Sequence, residues 1–533
     1  MHDSVASSSP VTGRRFSALV SAVRTLLPSL TDAGLSLLSA ALLILSFPNF
    51  DVWPLAWIGL IPLLVVASRS HTWPTFFAGW LFGVVFFYCT CYWLTYSMIN
   101  FGGFPAGVAY AALLPGAVVI GIFPAFSVFI IGKTIRAWGS PALLIGPVVW
   151  VAFEWIRLQC TGQLWNAIGY SQAYHPQLIG TAGFGGVYAV GFVMVLVNAT
   201  ITFAIVQRRR RSLVITVAVL IVTGMVVFGT GATNKRLDPT AEAHVVAVQP
   251  NVPMKLVKSV TEMRQLTEHH FSVSEQALKN LPADGKPRLV IWPESPMYFS
   301  YGSDQLLRER IASFAKQHRT FVLLNSQEVA PNDGLYNSAV LINEEGRLVS
   351  QYDKIRLLPF GEYVPLPRWL PGAGLITAIV GDFTPGTEYR QMQIGSLRGG
   401  VFICIESAYP DIARQFTRDG ADVLINISND GYLGPTAVLR QHLANAVFRA
   451  VENGRPVLRV TNTGISALIT ANGEVRDATP TYQPDIRVWT IGRSPNGPTF
   501  YALAGDLFVW ICVVISFLVL IIVTFRRREK VGE

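Results

Sequence analysis

One stretch of the chain determines how the rest is interpreted: Gly399-Gly400-Val401-Phe402-Ile403-Cys404-Ile405-Glu406. Its apolar run is typical of a buried strand, predicted over 401–405, and a helix is expected over 408–418. A cysteine at such a junction lies at the edge of a sheet, beside backbone N–H groups that can bind an oxyanion. Cys404 is therefore a candidate nucleophile, although a lone strand cysteine is more often a packing residue.

Two charged residues upstream strengthen the catalytic interpretation. Glu294 follows an apolar run in Trp292-Pro293-Glu294, and Lys354 follows Tyr352-Asp353. In an apolar pocket lined by Trp292, a glutamate would gain the raised pKa that a general base needs. A lysine can stabilise both a thiolate and the oxyanion of a tetrahedral intermediate. With Cys404, these residues supply the three parts of an acyl-transfer site.

The segment around these residues has the pattern of an α/β domain. Between 242 and 495, Val/Ile/Leu-rich runs alternate with helical stretches, as expected for buried sheets covered by helices. The other predicted strands are His244–Val248, Arg288–Trp292, Thr320–Leu324, Ala339–Ile342, Val423–Ile427 and Pro456–Val460. The other predicted helices are 260–281, 303–318 and 436–453.

The first part of the chain has the composition of a membrane protein. Of the 533 residues 51% are hydrophobic, and residues 1–231 carry four acidic side chains: Asp3, Asp32, Asp51 and Glu154. A spanning helix needs about 20 apolar residues. Eight runs are candidates: 28–47, 53–68, 74–96, 104–132, 141–157, 178–206, 212–230 and 502–525. The predicted domains are a membrane domain with seven helices (1–231), a soluble catalytic domain (232–500), and a last helix with a basic tail (501–533).

Basic residues predict the orientation of these helices. With Arg14, Arg15 and Arg24 in the cytoplasm, the later clusters Arg208–Arg211 and Arg526–Arg528 also fall inside. Both termini are then cytoplasmic, and the soluble domain lies outside. This placement accounts for the net charge of +9, so a nucleic-acid partner is not expected.

Other features of the sequence have simpler explanations. Trp93 and Trp165 lie in loops assigned to the outside, where aromatic belts are usual. Glu154 and Arg157 are one helical turn apart, which favours an ion pair. The five cysteines form no metal-ligand pattern, and no cofactor is expected.

Two further segments frame the candidate site. Leu357–Pro365 follows Lys354 and contains Glu362, which could orient the lysine or the base. Asn426–Gly434 is read most simply as a strand and an Asn-Asp-Gly turn, and the helix after it carries His442. A dyad of Cys404 with His442 is an alternative to the pair with Glu294.

These motifs together resemble known proteins. The soluble domain resembles the nitrilase superfamily, and the whole chain resembles the bacterial apolipoprotein N-acyltransferases. The matching motifs are Trp-Pro-Glu-Ser-Pro at 292–296, Tyr-Asp-Lys at 352–354, Leu-Pro-Phe-Gly-Glu-Tyr-Val-Pro at 358–365, Cys-Ile-Glu at 404–406, Ser-Asn-Asp at 428–430, Arg-Pro-Val-Leu-Arg at 455–459 and Thr-Gly-Ile-Ser at 463–466. In the membrane half, Glu154-Trp155 and 165–172 also match.

The resemblance implies an αββα sandwich in which Glu294 is the general base, Lys354 the oxyanion group and Cys404 the nucleophile, supported by Glu362 and Glu406. It further implies transfer of a fatty acyl chain from a membrane phospholipid, through a thioester on the cysteine, to the α-amino group of a lipoprotein's diacylglyceryl-cysteine. Ping-pong kinetics and an inner-membrane location with a periplasmic catalytic domain follow from the same resemblance.

The chain departs from the family pattern at two places. Ile405 stands where many relatives carry Tyr, and Gly431-Tyr432-Leu433 stands where relatives often carry Ala-Trp-Phe. The first change should spare the backbone N–H beside the nucleophile. The second bears on how the lipid-facing loop packs.

Substrates held in lipid require lateral access and exclusion of water. We therefore expect apolar loops around 355–385 to form part of a lid, with Trp369, Leu370, Leu375 and Ile379 as members.

Two alternatives to acyl transfer remain open. A membrane-tethered amidase with the same three residues would release ammonia from soluble amides. A transporter or receptor with an inactive enzyme domain would tolerate Cys404→Ala.

Overall fold

The chain forms a bundle of apolar helices and an α/β domain in a computed structural model that describes residues 25–162, 164–233, 240–255, 258–331, 334–364 and 383–529. The predicted fold class, a helical membrane domain with an αββα sandwich domain, is confirmed. The two parts meet at several places, and one helix of the α/β domain carries polar contacts to both sides.

Apolar helices occupy all eight of the predicted spans. Six described helical stretches are long and apolar enough to cross a bilayer, whereas Leu30–Ser46 and Trp53–Arg69 are shorter. The number of crossings therefore stays a prediction. The helices of this half are α1 Leu30–Ser46, α2 Ile61–Arg69, α3 Thr72–Thr90, α4 Leu94–Asn100, α5 Ala106–Ile120, α6 Ile122–Trp138, α7 Gly146–Thr161, α8 Ala182–Gln207 and α9 Arg210–Thr233.

Small and polar residues hold this bundle together, since apolar contacts alone give little specificity in lipid. A Cβ on Gly83 of α3 would lie 2.8 Å from the Cα of Gly121, which joins α5 to α6. Helix α3 therefore packs closely against the junction of α5 and α6. Asn198 of α8 accepts from the backbone N–H of Leu60 (2.8 Å) and donates to the carbonyl of Ala56 (3.1 Å).

Two six-stranded sheets form the α/β domain, with strand orders β12-β1-β2-β3-β4-β5 and β11-β10-β9-β8-β7-β6. The strands are β1 Ala243–Gln249, β2 Arg288–Ile291, β3 Phe321–Val329, β4 Leu335–Ile342, β5 Leu348–Asp353, β6 Met392–Ile394, β7 Leu397–Ile403, β8 Val423–Ser428, β9 Val457–Thr461, β10 Ala467–Ile469, β11 Val475–Arg476 and β12 Asp485–Ile491. All seven predicted strands are present. The five that were missed lie at or next to sheet edges, where short, partly exposed strands carry polar residues.

Helices cover the outer face of each sheet and complete the αββα sandwich. Their bounds are α10 Val260–Lys279, α11 Gln305–His318, α12 Pro410–Arg418 and α13 Val438–Asn453, followed by α14 Phe500–Ala504 and α15 Leu507–Glu529. Ser259 and Asp304 cap α10 and α11, since each side chain accepts a backbone N–H of the first turn.

Helix α13 lies between the second sheet and α8 of the membrane half. Every residue of α13 except Arg440 is buried. Because the helix also carries Gln441, His442, Arg449 and Glu452, its polar groups must find partners inside the protein.

Candidate active site

The three predicted catalytic residues each follow the end of a strand. Glu294 comes after β2, Lys354 directly after β5, and Cys404 directly after β7. The strand predicted over 401–405 ends at Ile403, because Cys404 adopts a left-handed conformation with φ +51°. That conformation breaks the ladder and begins a 3₁₀ turn, Cys404–Ala408, ahead of α12.

Lys354 is held between two carboxylates. Its side chain is 1% exposed, and its Nζ lies 2.8 Å from Glu362 and 3.8 Å from Oε1 of Glu294. Burial lowers the pKa of Lys354, but Glu362 and Glu294 outweigh that effect and raise it above its usual range. The ammonium is therefore permanent, and it faces both acids.

Asn337 of β4 joins the same two carboxylates and was missed by the sequence analysis. Its Nδ2 donates to Oε1 of Glu294 (2.8 Å) and to Oε1 of Glu362 (2.7 Å). The amide of Asn325 donates to Oδ1 of Asn337 (2.7 Å) and fixes its orientation. The signal in the sequence is a polar pair, Asn337-Ser338, inside an otherwise apolar strand.

Glu294 is partly buried among polar groups, and its side chain is 15% exposed. Its Oε2 accepts the backbone N–H of Asn429 at 2.9 Å. Burial raises the pKa of Glu294 and Glu362 adds to the rise, while Lys354 opposes it. The predicted tryptophan-lined pocket is wrong: Trp292 packs in the core beneath α10 and donates to Ser274 at 3.0 Å. Strand β2 ends at Ile291, so Glu294 lies outside the strand and does not share the outward direction of Val290 and Trp292.

The charges of Glu294 and Lys354 both act on the pKa of the Cys404 thiol. Burial raises the pKa of Cys404, Glu294 raises it further, and Lys354 lowers it. The resting thiol is therefore protonated at neutral pH. A nearby base with a raised pKa is the group needed to remove that proton as the sulfur attacks.

Glu406 connects the nucleophile turn to the lysine loop. Its Oε1 accepts from the hydroxyl of Tyr352 and the backbone N–H of Ile355, both at 2.8 Å, and from Arg356 N–H at 3.0 Å. Its Oε2 accepts from Ile403 N–H at 2.7 Å. Burial raises the pKa of Glu406 to about 7, although these hydrogen bonds act to lower it. The carboxyl group thus fixes the separation of the two catalytic loops.

His442 does not pair with the thiol as a dyad would require. Its Nε2 lies 3.0 Å from the carbonyl oxygen of Cys404, and its Nδ1 lies 2.8 Å from Oδ1 of Asp430. Asp430 also binds Arg459 at 2.8 Å, and all three polar side chains are buried.

The loop Gly431-Tyr432-Leu433 packs against the membrane half. Ser97 of α4 donates to the carbonyl of Tyr432 (2.6 Å), and the ring of Phe101 lies 5.3 Å from the Tyr432 ring. The hydroxyl groups of Tyr432 and Tyr298 are 3.0 Å apart. The predicted lid residues Trp369, Leu370, Leu375 and Ile379 lie outside the described residues.

The aromatic residues of the membrane loops have a role that the belt interpretation missed. Trp93 and Trp165 both donate to Oε1 of Gln441, at 3.0 and 2.8 Å. Glu154 accepts Ile168 N–H (2.9 Å), and Arg157 donates to the carbonyl of Trp165 (2.8 Å). The charged pair in α7 therefore holds the loop that meets the α/β domain.

In the parts of the chain that the structure describes, no group of three His, Cys, Asp or Glu side chains could hold a metal ion.

Comparisons with known proteins cover nearly the whole chain. Residues 39–200 match the apolipoprotein N-acyltransferase N-terminal domain, and residues 245–494 match the carbon-nitrogen hydrolase domain. The chain is 31% identical to an apolipoprotein N-acyltransferase of Geobacter metallireducens over 93% of this chain and 96% of that protein. It is 29% identical to the enzyme of the same name from Thermotoga maritima, over 94% and 96% of the two chains. Among solved structures, Saccharomyces cerevisiae Nit3 of the nitrilase superfamily matches 48% of this chain and 91% of its own, with 17% identity and a TM-score of 0.38.

Proposed function

The chain belongs to the apolipoprotein N-acyltransferase family, and on this premise we propose that Glu294, Lys354 and Cys404 are the catalytic triad of a two-step acyl transfer. The protein is an acyltransferase of lipoprotein N-acylation with several membrane-spanning helices, so lipid and lipoprotein are its substrates. The acyl donor, the covalent intermediate and the roles of the residues are the proposed part of this mechanism.

In the first step a phospholipid is the acyl donor. Glu294 removes the Sγ proton of Cys404, and the thiolate attacks the ester carbonyl carbon. Lys354 stabilises the resulting oxyanion. The ester C–O bond then breaks, the lysophospholipid alkoxide takes the proton from Glu294, and the acyl chain stays on the sulfur as a thioester.

In the second step a diacylglyceryl lipoprotein is the acceptor. Its neutral α-amine, with an ordinary pKa of about 8, attacks the thioester carbonyl. Glu294 accepts the amine proton and returns it to the departing sulfur of Cys404. The amide leaves and the enzyme is restored, so the kinetics are ping-pong.

One observation carries this proposal: the Nζ of Lys354, directly after β5, sits 2.8 Å from Glu362 and 3.8 Å from Glu294, and Glu406 joins this lysine loop to the turn that begins at Cys404. Glu362 balances the charge of the lysine, so Glu294 is free to exchange a proton. Glu406 fixes the lysine loop against the nucleophile turn. Because the pKa of Glu294 is raised, it lies closer to the pKa of the Cys404 thiol, which favours proton transfer from the thiol to this carboxylate.

We propose the same domain boundaries and orientation for this chain: membrane domain 1–231, periplasmic catalytic domain 232–500, and a last helix with a cytoplasmic tail over 501–533. Both termini are cytoplasmic in this arrangement, and the membrane is the inner membrane. The loops carrying Trp93 and Trp165 support it, since both meet the catalytic domain on one side of the bundle.

The test is a kinetic assay in lipid nanodiscs with a phospholipid carrying a labelled acyl chain and a diacylglyceryl lipopeptide. Initial rates at varied donor and acceptor should give parallel double-reciprocal lines. Glu294→Gln and Cys404→Ala should abolish transfer, while Glu388→Gln, which alters an exposed ion pair with Arg390, should not. Intersecting lines, or labelled lipopeptide formed by Cys404→Ala, would contradict the proposal. Ammonia released from soluble amides, without lipid transfer, would favour an amidase.

A further inference from the structure

Two adjacent residues of α13 point to different parts of the molecule. Gln441 faces the membrane half, and its side-chain amide is fully used. Its Oε1 accepts from Trp93 and Trp165, and its Nε2 donates to the carbonyls of Thr90 (3.1 Å) and Pro48 (3.4 Å). A buried amide with both lone pairs and both N–H groups paired fixes a helix firmly.

The next residue, His442, faces the nucleophile. Its Nε2 lies 3.0 Å from the carbonyl oxygen of Cys404, which also receives Nδ2 of Asn426 at 3.4 Å. A carbonyl oxygen only accepts, so Nε2 is the donor. Because the Asp430 carboxylate also only accepts, Nδ1 donates to its Oδ1 at 2.8 Å, and both ring nitrogens are protonated in this arrangement. Arg459 and Ser428 hold that carboxylate at 2.8 and 3.0 Å.

The held carbonyl belongs to a strained residue. Cys404 has φ +51°, a left-handed conformation that costs a non-glycine residue about 1–2 kcal/mol. Such strain persists only where the surroundings fix the backbone. Two side-chain donors on this one carbonyl oxygen supply the restraint. Because the Sγ is attached through the Cβ to the Cα of Cys404, relaxation of this backbone would displace the nucleophile.

The membrane loop reaches both residues of the pair. The Trp165 ring lies 5.7 Å from the His442 ring, while its indole N–H binds Gln441. Arg157 of α7 in turn holds the carbonyl of Trp165 at 2.8 Å. A continuous set of buried contacts thus runs from a membrane helix to the nucleophile.

We propose that His442 is a positioning residue for Cys404, and that Gln441 makes this positioning depend on the docking of the catalytic domain against the membrane domain. The inference rests on the proposed role of Cys404 as nucleophile. It assigns the membrane half a part in activating the thiol, in addition to holding the lipid.

The test compares four variants of the full chain in nanodiscs. His442→Ala removes the donor, and His442→Gln keeps an N–H that can reach the carbonyl of Cys404. Gln441→Leu removes the amide at similar volume. Arg440→Ala is the matched control. Arg440 is half-buried and pairs with Asp51 across the same interface, but it does not take part in the contact of His442 with Cys404. Its loss therefore perturbs the interface and leaves that contact in place. Each variant is checked for a wild-type melting profile.

The readout is the single-turnover rate of thioester formation on Cys404, followed by intact mass at several phospholipid concentrations. A nucleophile misplaced by about 1 Å can lose about 10²-fold in rate. His442→Ala and Gln441→Leu should therefore slow the maximal rate by about 10- to 100-fold at unchanged half-saturation. His442→Gln should recover most of that loss, and Arg440→Ala should match the wild type.

The outcomes separate this inference from the proposed function. If the wild type forms no thioester, the proposed function fails. If the wild type forms it and His442→Ala and Gln441→Leu match its rate, only the positioning inference is overturned. It is equally overturned if His442→Gln is as slow as His442→Ala, or if lost rate follows lost folded protein, since either result indicates a purely structural role.

Discussion

Replacing Glu362 by Gln tests the charge balance of the site most sharply. Glu362 binds the buried Lys354 ammonium at 2.8 Å and accepts Leu358 N–H at 2.7 Å. Gln keeps the size and one acceptor oxygen, but its NH2 group must face either Leu358 N–H or the donors Asn337 and Lys354, so the melting curve is needed to show that the loop stays folded. The substitution changes the charge: one lysine then faces one carboxylate, Glu294.

The structure gives the size of the effect. At an effective dielectric constant of about 20, Coulomb's law assigns about 6 kcal/mol to a pair at 2.8 Å and about 4 kcal/mol to the 3.8 Å pair with Glu294. Without Glu362, Lys354 is drawn toward Glu294, which lowers the basicity of Glu294 and misplaces the oxyanion group. Loss of one oriented oxyanion donor costs about 3–4 kcal/mol, or about 10²- to 10³-fold in rate.

The assay is the single-turnover rate of thioester formation from phospholipid, measured by intact mass beside a melting curve. Glu362→Gln should acylate Cys404 about 10²- to 10³-fold more slowly than the wild type while remaining folded. Glu388→Gln, in the exposed pair with Arg390, serves as the control and should be unaffected. A folded Glu362→Gln protein that acylates at the wild-type rate would refute the argument that Glu362 frees the base.

Three other predictions concern pH, stability and lipid access. Glu294 must be ionised to act as a base, and burial raises its pKa above the ordinary 4.5. In a pH–rate profile, the acylation rate should therefore fall as the pH is lowered, and this fall should begin above pH 4.5. Arg459→Met breaks a fully buried ion pair and should lower the free energy of unfolding by about 3–5 kcal/mol in denaturant titrations, whereas Arg476→Met at an exposed pair should change it by about 1 kcal/mol or less. Trp369→Ser and Ile379→Ser should slow acylation by phospholipid but leave alkylation of the thiol by iodoacetamide unchanged; full lipid transfer by either variant would count against a lid.

Much of the fold could be predicted because its central elements are buried. Continuous apolar runs mark the inner strands, such as Val423–Ser428, and long uncharged runs mark the membrane helices. Edge strands such as Asp485–Ile491 mix charged and polar residues with apolar ones and are partly exposed, so they lack that continuous apolar signal. The end of β7 was misjudged because the strained turn at Cys404 depends on contacts distant in the sequence.

The site was predictable in its residues but not in their partners. Glu294, Lys354 and Cys404 stood out as residue types suited to acyl transfer, and their roles stay a prediction. Asn337 was missed because a single buried amide has no spacing pattern. The contact of Trp165 with Gln441 was missed because an aromatic residue at a membrane boundary has an ordinary explanation, and nothing local indicates a partner in α13.

The most direct test of the account is intact mass spectrometry of the purified protein after incubation with phospholipid and no acceptor, comparing wild type with Cys404→Ala. We expect a fatty-acyl adduct on the wild type that maps to Cys404, is absent from the variant, and is discharged by a diacylglyceryl lipopeptide. A folded wild-type protein that forms no such adduct, or an adduct that persists in Cys404→Ala, would contradict the central claim that this cysteine carries the acyl group.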